Sequence, residues 1–431
     1  MQSDNDPPDN ALPEQLPESA IPLDDPVSPD APAGDLDSGR DLGEPVETEA
    51  PAEPESEAQH VTVPPPAILP VVEVRDLDWT QIRASLDAEA IRARMASAVF
   101  SMNELLDRDS GTGMLFTSQR SDEHDRAIHV REVDDAAPLW FIGDLHGDLL
   151  ALETALALIT REETADAPAR IVFLGDLFDD YGFPLEILVR LFELITAHPE
   201  RICVITGNHD EALGHDGERF FATVSPADFS EMLNAHAEDE LVTACGLTAV
   251  RFFQNAPRAL FFPDGLLVAH GGFPLVDLHP YLADKQDWND SRCLTDFVWT
   301  RAHPRSRRKI PNRVSRGAQF GYEDFADFCA LSRDLGRPVT HMIRGHDHIA
   351  ERFEIYPAYA ATPVLTTVAL SRRLVRESFG FYERVPTIAR WIRGSLPQVH
   401  RLHIPVELVR EVYPDPDAPP PASPADVANL P

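Results

Sequence analysis

Short apolar runs that stop at a glycine and a polar residue recur through the middle of the chain. Residues 138–144, 170–176 and 201–207 each read as a buried β-strand. Helical periodicity follows the first two runs, in residues 149–160 and 185–198. Strands that alternate with helices in this way predict an α/β sheet.

The second half of the chain is richer in hairpins. Residues 259–272 predict a hairpin, in which Asp264 and Gly265 suit a type I′ turn. Apolar runs at 341–348 and 362–370 predict later strands. The predicted sheet structure therefore continues to about residue 370.

Five of the predicted strands end in glycine beside carboxylate, imidazole or amide side chains. The five clusters are Gly143-Asp144-Leu145-His146, Gly175-Asp176 with Asp179, Gly207-Asn208-His209-Asp210, His270-Gly271-Gly272 and Gly345-His346-Asp347-His348. In α/β sheets ligands bind beyond the carboxyl ends of the strands, so all five clusters are expected at one edge. Oxygen and imidazole ligands without thiolate suit divalent ions such as Mn, Fe or Zn.

Each cluster alone has a structural alternative. GDLHGD is also typical of a capped helix start, and a single His270 or His346 is more often a hydrogen-bonded core histidine. Five such clusters in order, each after an apolar strand, favour a joint metal site over five separate structural roles.

Both ends of the chain differ from this body in composition. Residues 1–60 carry 17 Asp or Glu and one Arg among many prolines. Such a stretch buries too little apolar surface to offset the entropy of ordering, so residues 1–74 are predicted to be a disordered acidic tail. A second proline-rich disordered tail is predicted at 414–431, which leaves 75–413 as the folded domain.

Charge and composition restrict the partners and the compartment. The net charge of −35 repels polyanions, so a nucleic-acid partner is not expected. The N-terminus lacks the pattern of a signal peptide, and no run of about 18 apolar residues predicts a membrane span. The four cysteines are widely spaced and are predicted to be reduced core residues. A cytoplasmic protein without a membrane partner is expected.

The ordered motifs GDLHG, GDLFDD, GNHD, HGG and GHDH resemble those of the calcineurin-like metallophosphoesterases. Their spacing is most similar to the phosphoprotein phosphatase branch, which includes the serine/threonine phosphatases and their bacterial relatives, and this chain resembles a bacterial-type member. Residues 316–328 resemble the family's RG-containing segment. The resemblance implies an α/β/β/α sandwich with two central mixed sheets flanked by helices. From their position after the GNHD motif, residues 211–258 are predicted to form a helical insertion near the active-site edge.

The resemblance also implies two divalent metal ions, with Mn expected and Fe or Zn as alternatives. The implied ligands are Asp144, His146, Asp176, Asn208, His270, His346 and His348. Asp176 is the implied bridging carboxylate, and Asn208 is also expected to contact the substrate phosphate. His348 matches a ligand of the wider superfamily that the protein phosphatases usually lack.

The implied mechanism is in-line attack on phosphorus by a metal-bridging hydroxide. His209, which lies beside a ligand, is expected to protonate the leaving alkoxide as the general acid. Asp179 resembles the family's carboxylate that orients this histidine.

The chain departs from the family at Asp180, because the family carries a phosphate-binding arginine at this position. Candidate replacements lie in the basic segment 300–316, where Arg316 matches the RG arginine and Arg301 follows the family tryptophan. A second basic cluster, to which no role is assigned, comprises Arg372, Arg373 and Arg376.

These features predict a metal-dependent phosphatase that hydrolyses phosphomonoesters, with phosphoserine or phosphothreonine on proteins as the expected substrate and small phosphoesters as a further class. Hydrolysis of a phosphoanhydride of the diadenosine polyphosphate type is the first alternative, because relatives with that activity share the same motifs. The second alternative is a weakly active metal-binding scaffold, against which the complete ligand set argues.

Overall fold

A computed structural model describes residues 69–415, with gaps at 109–113, 135–136, 308–309, 312–315 and 378–379. The predicted tails, apart from their inner edges at 69–74 and 414–415, lie outside the described residues. No described helix has both the length and the apolar character needed to cross a bilayer.

The described residues contain seventeen strands. They are β1 Val71–Val74, β2 Ala127–His129, β3 Leu139–Ile142, β4 Arg170–Phe173, β5 Ile202–Val204, β6 Leu213–His215, β7 Phe220–Ala222, β8 Ala259–Phe261, β9 Leu266–Ala269, β10 Arg301–Ala302, β11 Ile310–Pro311, β12 Ala318–Phe320, β13 His341–Arg344, β14 Phe353–Ile355, β15 Val364–Thr367, β16 Thr387–Trp391 and β17 Gln398–Leu402.

Twelve α-helices and three short 3₁₀ helices complete the described elements. The α-helices are α1 Trp79–Ser85, α2 Ala88–Arg92, α3 Met95–Arg108, α4 Leu149–Glu162, α5 Pro184–Ala197, α6 Asn208–Ala212, α7 Asp228–Ala235, α8 Glu240–Asn255, α9 His279–Lys285, α10 Ser291–Trp299, α11 Tyr322–Asp334 and α12 Val406–Val412. The 3₁₀ helices are Thr117–Gln119, Pro199–Arg201 and Pro357–Tyr359.

Two six-stranded mixed sheets form the centre of the fold. The first has the order β1-β17-β16-β3-β4-β5, in which β3, β4 and β5 are parallel. The second has the order β14-β15-β13-β9-β8-β2, in which β15, β13 and β9 are parallel. Small sheets of β10-β12-β11 and β6-β7 lie outside them.

Successive side chains of a central strand point to opposite faces of its sheet, so the core is divided into three layers. In β3, Leu139 and Phe141 belong to the cluster between the sheets, whereas Trp140 and Ile142 belong to the cluster shared with α3, α4, α5 and α8. The outer face of the second sheet packs on α9, α10 and α11 around Phe328. This arrangement confirms the α/β/β/α sandwich, because each sheet is apolar on both faces.

Three local details differ from the sequence-based expectations. Val71–Val74 pairs with β17, so the ordered domain begins before residue 75. Segment 211–258 contains the hairpin β6-β7 as well as helices α7 and α8. The hairpin β8-β9 is present, but its turn is not type I′, since Gly265 has a positive φ of 92° and Asp264 does not.

The two sheets approach each other at the end of β3. Asp144 forms an isolated bridge with Val368, and the Ala369 amide donates to the Asp144 carbonyl at 3.0 Å. A Cβ on Gly143 would lie 2.0 Å from the Thr367 carbonyl oxygen. Glycine therefore allows the backbones to meet closely enough to place Asp144 at the junction.

Replacing Gly143 by alanine is expected to lower the free energy of unfolding by about 1–3 kcal/mol, because a buried backbone must move to admit the methyl group. Urea denaturation measures this loss. Gly336→Asn is the control, since Gly336 has a positive φ of 75° and nothing lies within 4 Å of its built Cβ. Equal stability of wild type and Gly143→Ala would contradict the close approach.

Candidate metal centre

The five predicted clusters meet at one edge of the two sheets. They follow β3, β4, β5, β9 and β13, and six of the seven predicted metal ligands are buried, with His348 half-buried at the mouth. Three of these ligands lie in the left-handed backbone region, with φ of 39° at His146, 53° at Asp176 and 71° at His346. Such conformations are costly outside glycine and are concentrated at functional sites.

The first ligand group contains Asp144, His146 and His348. Nε2 of His348 lies 3.3 Å from Oδ2 of Asp144, and Nε2 of His146 lies 3.5 Å from Oδ2 of Asp176. His348, which matches a ligand that the protein phosphatases usually lack, therefore lies with the other predicted ligands. These four side chains can hold one ion.

The second ligand group surrounds Nε2 of His270. This atom lies 3.3 Å from Oδ2 of Asp176, 3.2 Å from Oδ1 of Asn208 and 3.0 Å from Nδ1 of His346. The same Asp176 oxygen therefore faces both groups. The arrangement suits two ions that share one carboxylate oxygen.

Hydrogen bonds fix the tautomers that a metal needs. Nδ1–H of His146 donates to the Phe178 carbonyl at 3.0 Å, and Nδ1–H of His270 donates to the Leu174 carbonyl at 2.8 Å. Their Nε2 lone pairs then point into the site. Carboxylate, imidazole and amide donors fit divalent Mn, Fe or Zn.

Asp176 makes the centre strongly attractive to cations. Burial acts to raise the pKa of Asp176, but His270 and His209 hold it well below its usual value. Burial disfavours a proton on His270, yet the Asp176 carboxylate raises the pKa of His270 to about 9. The field that draws a proton to this site will also draw a metal ion.

Asp210 supports the Asp176 backbone, a role that the sequence did not reveal. Its carboxylate accepts the amides of Asp176 and Gly207, both at 2.8 Å, and that of Leu177 at 3.1 Å. The sequence feature that could have indicated this role is the position of Asp210 in the first turn of α6, where a carboxylate can cap the helix. Burial and the nearby Asp176 charge raise the pKa of Asp210 to about 7.

His209 and Asp179 form a buried pair beside the ligand groups. Nδ1–H of His209 donates to Oδ2 of Asp179 at 2.7 Å, and Oδ1 of Asp179 accepts the Phe229 amide at 2.9 Å. Burial disfavours the imidazolium, but Asp176 and Asp179 together raise the pKa of His209 above its usual value. Nε2 of His209 faces a cleft of about 350 Å³, where a proton can be delivered.

The two arginines predicted to bind phosphate have different surroundings. Arg301 lines the cleft, with Nη1 donating to the His346 carbonyl at 2.9 Å and to Asp347 at 3.0 Å. Arg316 is exposed, and its guanidinium lies 5.7 Å from the centre of the Trp299 ring. Their contact with phosphate stays a prediction.

Arg376, which received no role from the sequence, lies in the cleft. Nη2 of Arg376 is 3.1 Å from Nε2 of His146, and Nη1 is 3.3 Å from Nε2 of His209. Nη2 also lies 2.8 Å from Oδ2 of Asp180, which is buried. Burial raises the pKa of Asp180 to about 6, with Arg376 acting in the opposite direction.

Part of the chain is similar to known phosphoesterases and protein phosphatases. The family model for calcineurin-like phosphoesterases matches residues 137–350. Human serine/threonine-protein phosphatase 5 is 23% identical over 224 residues, covering 49% of this chain and 39% of that protein. The catalytic subunit of Caenorhabditis elegans serine/threonine-protein phosphatase 6 is 22% identical over 232 residues, covering 53% of this chain and 64% of that protein. Both matches span less than two thirds of the relative.

Among solved structures, a Saccharomyces cerevisiae serine/threonine phosphatase with similarity to human PP5 aligns with a TM-score of 0.49 at 14% identity. The alignment covers 74% of this chain and 91% of that chain. The matched family segment contains all seven predicted metal ligands together with His209 and Asp179. The domain formed by residues 137–350 therefore belongs to the calcineurin-like phosphoesterase family, and the curated relatives that it resembles are serine/threonine-protein phosphatases.

Proposed function

We propose that this chain is a two-metal phosphomonoesterase that acts on phosphoserine or phosphothreonine in proteins. The observation that supports it most is the Asp176 carboxylate, whose Oδ2 faces both ligand groups beside the His209–Asp179 pair. The substrate class rests on the serine/threonine phosphatase relatives. Manganese as the native ion and a cytoplasmic location stay predictions.

The protein side chains have separate tasks in this proposal. When bound, the two ions supply an activated water and neutralise charge on the phosphoryl oxygens. Asp176 would contribute to holding both ions, because its Oδ2 lies near His146 and His270. Asn208, which lies beside His270 and lines the cleft, would help to hold the second ion. The leaving alkoxide needs a proton, because an alcohol is a weak acid.

His209 is placed to supply that proton. Its Nδ1–H is held by Asp179, so Nε2 carries the second proton when the ring is charged and points toward the cleft. The raised pKa of His209 favours this charged form. The proton on Nε2 moves to the leaving oxygen as the P–O bond breaks.

A substrate panel tests the function. The manganese-loaded protein is assayed with a phosphoserine peptide, p-nitrophenyl phosphate, bis-p-nitrophenyl phosphate and diadenosine tetraphosphate, each with a chelator control. We expect the phosphomonoesters to be hydrolysed at least about tenfold more efficiently than the dinucleotide, a difference of about 1.4 kcal/mol in activation free energy.

Rapid turnover of the dinucleotide alone would place the protein with the phosphoanhydride hydrolases. Turnover of none of the four substrates by protein that holds both ions would favour the metal-binding scaffold. Either result would overturn the proposed phosphomonoesterase.

A further inference from the structure

Arg376 occupies a position that the metal ligands alone do not explain. Its guanidinium lies between two imidazoles, with Nη2 3.1 Å from Nε2 of His146 and Nη1 3.3 Å from Nε2 of His209. About one third of the Arg376 side chain is exposed, and the residue lines the cleft. The two nitrogens thus face the space between a metal ligand and the proposed general acid.

Asp180 holds this guanidinium in place. Oδ2 of Asp180 lies 2.8 Å from Nη2 of Arg376. The backbone at Asp180 is fixed in turn, because its amide donates to Asp228 at 2.9 Å and its carbonyl accepts Nη2 of Arg372 at 3.0 Å. A buried carboxylate with a rigid backbone can position an arginine from a distant segment.

The chain on both sides of Arg376 is anchored as well. Before it, the Ser371 amide and hydroxyl both donate to Asp148 at 2.7 Å. After it, Glu377 is buried and accepts two bonds from Arg352, at 2.6 and 3.0 Å. Arg376 therefore projects from a tethered segment, so little conformational entropy needs to be lost when it binds a ligand.

The chemistry of this group suits a phosphoryl dianion. A guanidinium donates two parallel hydrogen bonds to phosphate oxygens in a bidentate pair, and such charge-assisted bonds are stronger than bonds between neutral groups. Arg301, the other cleft arginine among the described residues, is held at the His346 side by its Nη1 contacts to the His346 carbonyl and Asp347. Arg376 instead lies between His146 and His209, where the proposed function requires the phosphoryl group, so its position favours Arg376 as the anion-binding group.

We propose that Arg376 binds the phosphoryl group of the substrate and that Asp180 is the residue that positions it. This inference rests on the proposed phosphoesterase function. It assigns the phosphate contact to a segment about 200 residues beyond Asp180 in the chain. It also explains how an acidic residue at position 180 can support phosphate binding, namely by positioning an arginine.

Binding of inorganic phosphate to the manganese-loaded full chain tests the proposal, measured by isothermal titration calorimetry. We expect Arg376→Ala to raise the phosphate Kd about 10- to 100-fold, the loss that removing a charge-assisted hydrogen bond typically causes. The phosphate Kd of Arg376→Lys should lie between those of wild type and Arg376→Ala, because lysine keeps the charge but lacks the planar guanidinium. Elemental analysis should find unchanged metal content in both variants.

Two further variants separate positioning from structural damage. Asp180→Asn removes the charge with little change of shape and should raise the phosphate Kd by a smaller factor than Arg376→Ala. The double variant Asp180→Arg with Arg376→Ala should recover part of the lost phosphate affinity, because it places a guanidinium at the other partner of the Asp180–Arg376 ion pair. Arg333→Ala, at an exposed arginine of α11, is the matched control and should bind phosphate like wild type.

The outcomes distinguish this inference from the proposed function. Wild-type protein that binds phosphate and hydrolyses phosphomonoesters, with an Arg376→Ala variant of equal or higher phosphate affinity, would overturn the role of Arg376 alone. Wild-type protein that holds its metals but neither binds phosphate nor hydrolyses any phosphoester would overturn both.

Discussion

Replacing His209 by asparagine should lower kcat on an alkyl phosphate about 100-fold or more, within the range that general acid catalysis contributes. The same variant should lose much less activity on p-nitrophenyl phosphate. The physical reason is the leaving group: p-nitrophenolate is stable without a proton, whereas an alkoxide is not. Asparagine at this position can still donate to Asp179, which limits the structural change.

The ratio of the two losses is the informative quantity. Asp179→Asn should show the same selectivity to a smaller extent, because it leaves the histidine present but removes the charge that favours the imidazolium. Metal content should stay at the wild-type level in both variants. Equal losses on both substrates would remove the general-acid role of His209.

Replacing Asp176 by alanine should have the largest effect of any single change. Its Oδ2 faces both ligand groups, and its Oδ1 accepts the His209 amide at 2.9 Å. We expect kcat to fall by well over the roughly 100-fold that follows the loss of a supporting contact. Steady-state kinetics with p-nitrophenyl phosphate under excess manganese measure the loss.

Asp210→Asn is the matched comparison for Asp176→Ala. It changes a neighbouring carboxylate that holds the Asp176 backbone but does not face the ions. The Asp210→Asn variant should bind metal about 10- to 100-fold more weakly than wild type, as for the loss of other supporting contacts. An Asp210→Asn variant more damaged than Asp176→Ala would contradict the division of roles.

The grouping of the candidate metal ligands could be predicted because each belongs to a short local pattern. An apolar strand, a glycine and a polar residue follow one another within a few positions, and the parallel strands bring their ends to one edge. Asp144, Asp176, Asn208, His270 and His346 all follow strands in this way. The structure confirms this grouping at a single edge.

Arg376 could not be found in the same way. It is 230 residues beyond His146 in the chain, and its approach depends on the path of a segment tied down by Asp148 and Glu377. Asp180 looked unfavourable for phosphate because its sequence context does not show the arginine beside it. Long-range pairing of this kind follows from tertiary packing, which local pattern does not encode.

The turn of the hairpin β8-β9 shows a second limit. An aspartate followed by glycine is typical of type I′ turns, but Pro263 precedes the pair and lengthens the loop to three residues between Phe262 and Leu266. Gly265 alone of the pair then needs a positive φ. Existence of the hairpin could be predicted, while its turn geometry could not.

Elemental analysis of manganese-reconstituted wild type and Asp176→Ala, after removal of loosely bound metal, tests the shared two-ion centre most directly. We expect two bound ions per wild-type chain and fewer than one per variant chain, with both proteins folded by circular dichroism. Wild type that retains no ion, or an Asp176→Ala variant that still holds two, would contradict it.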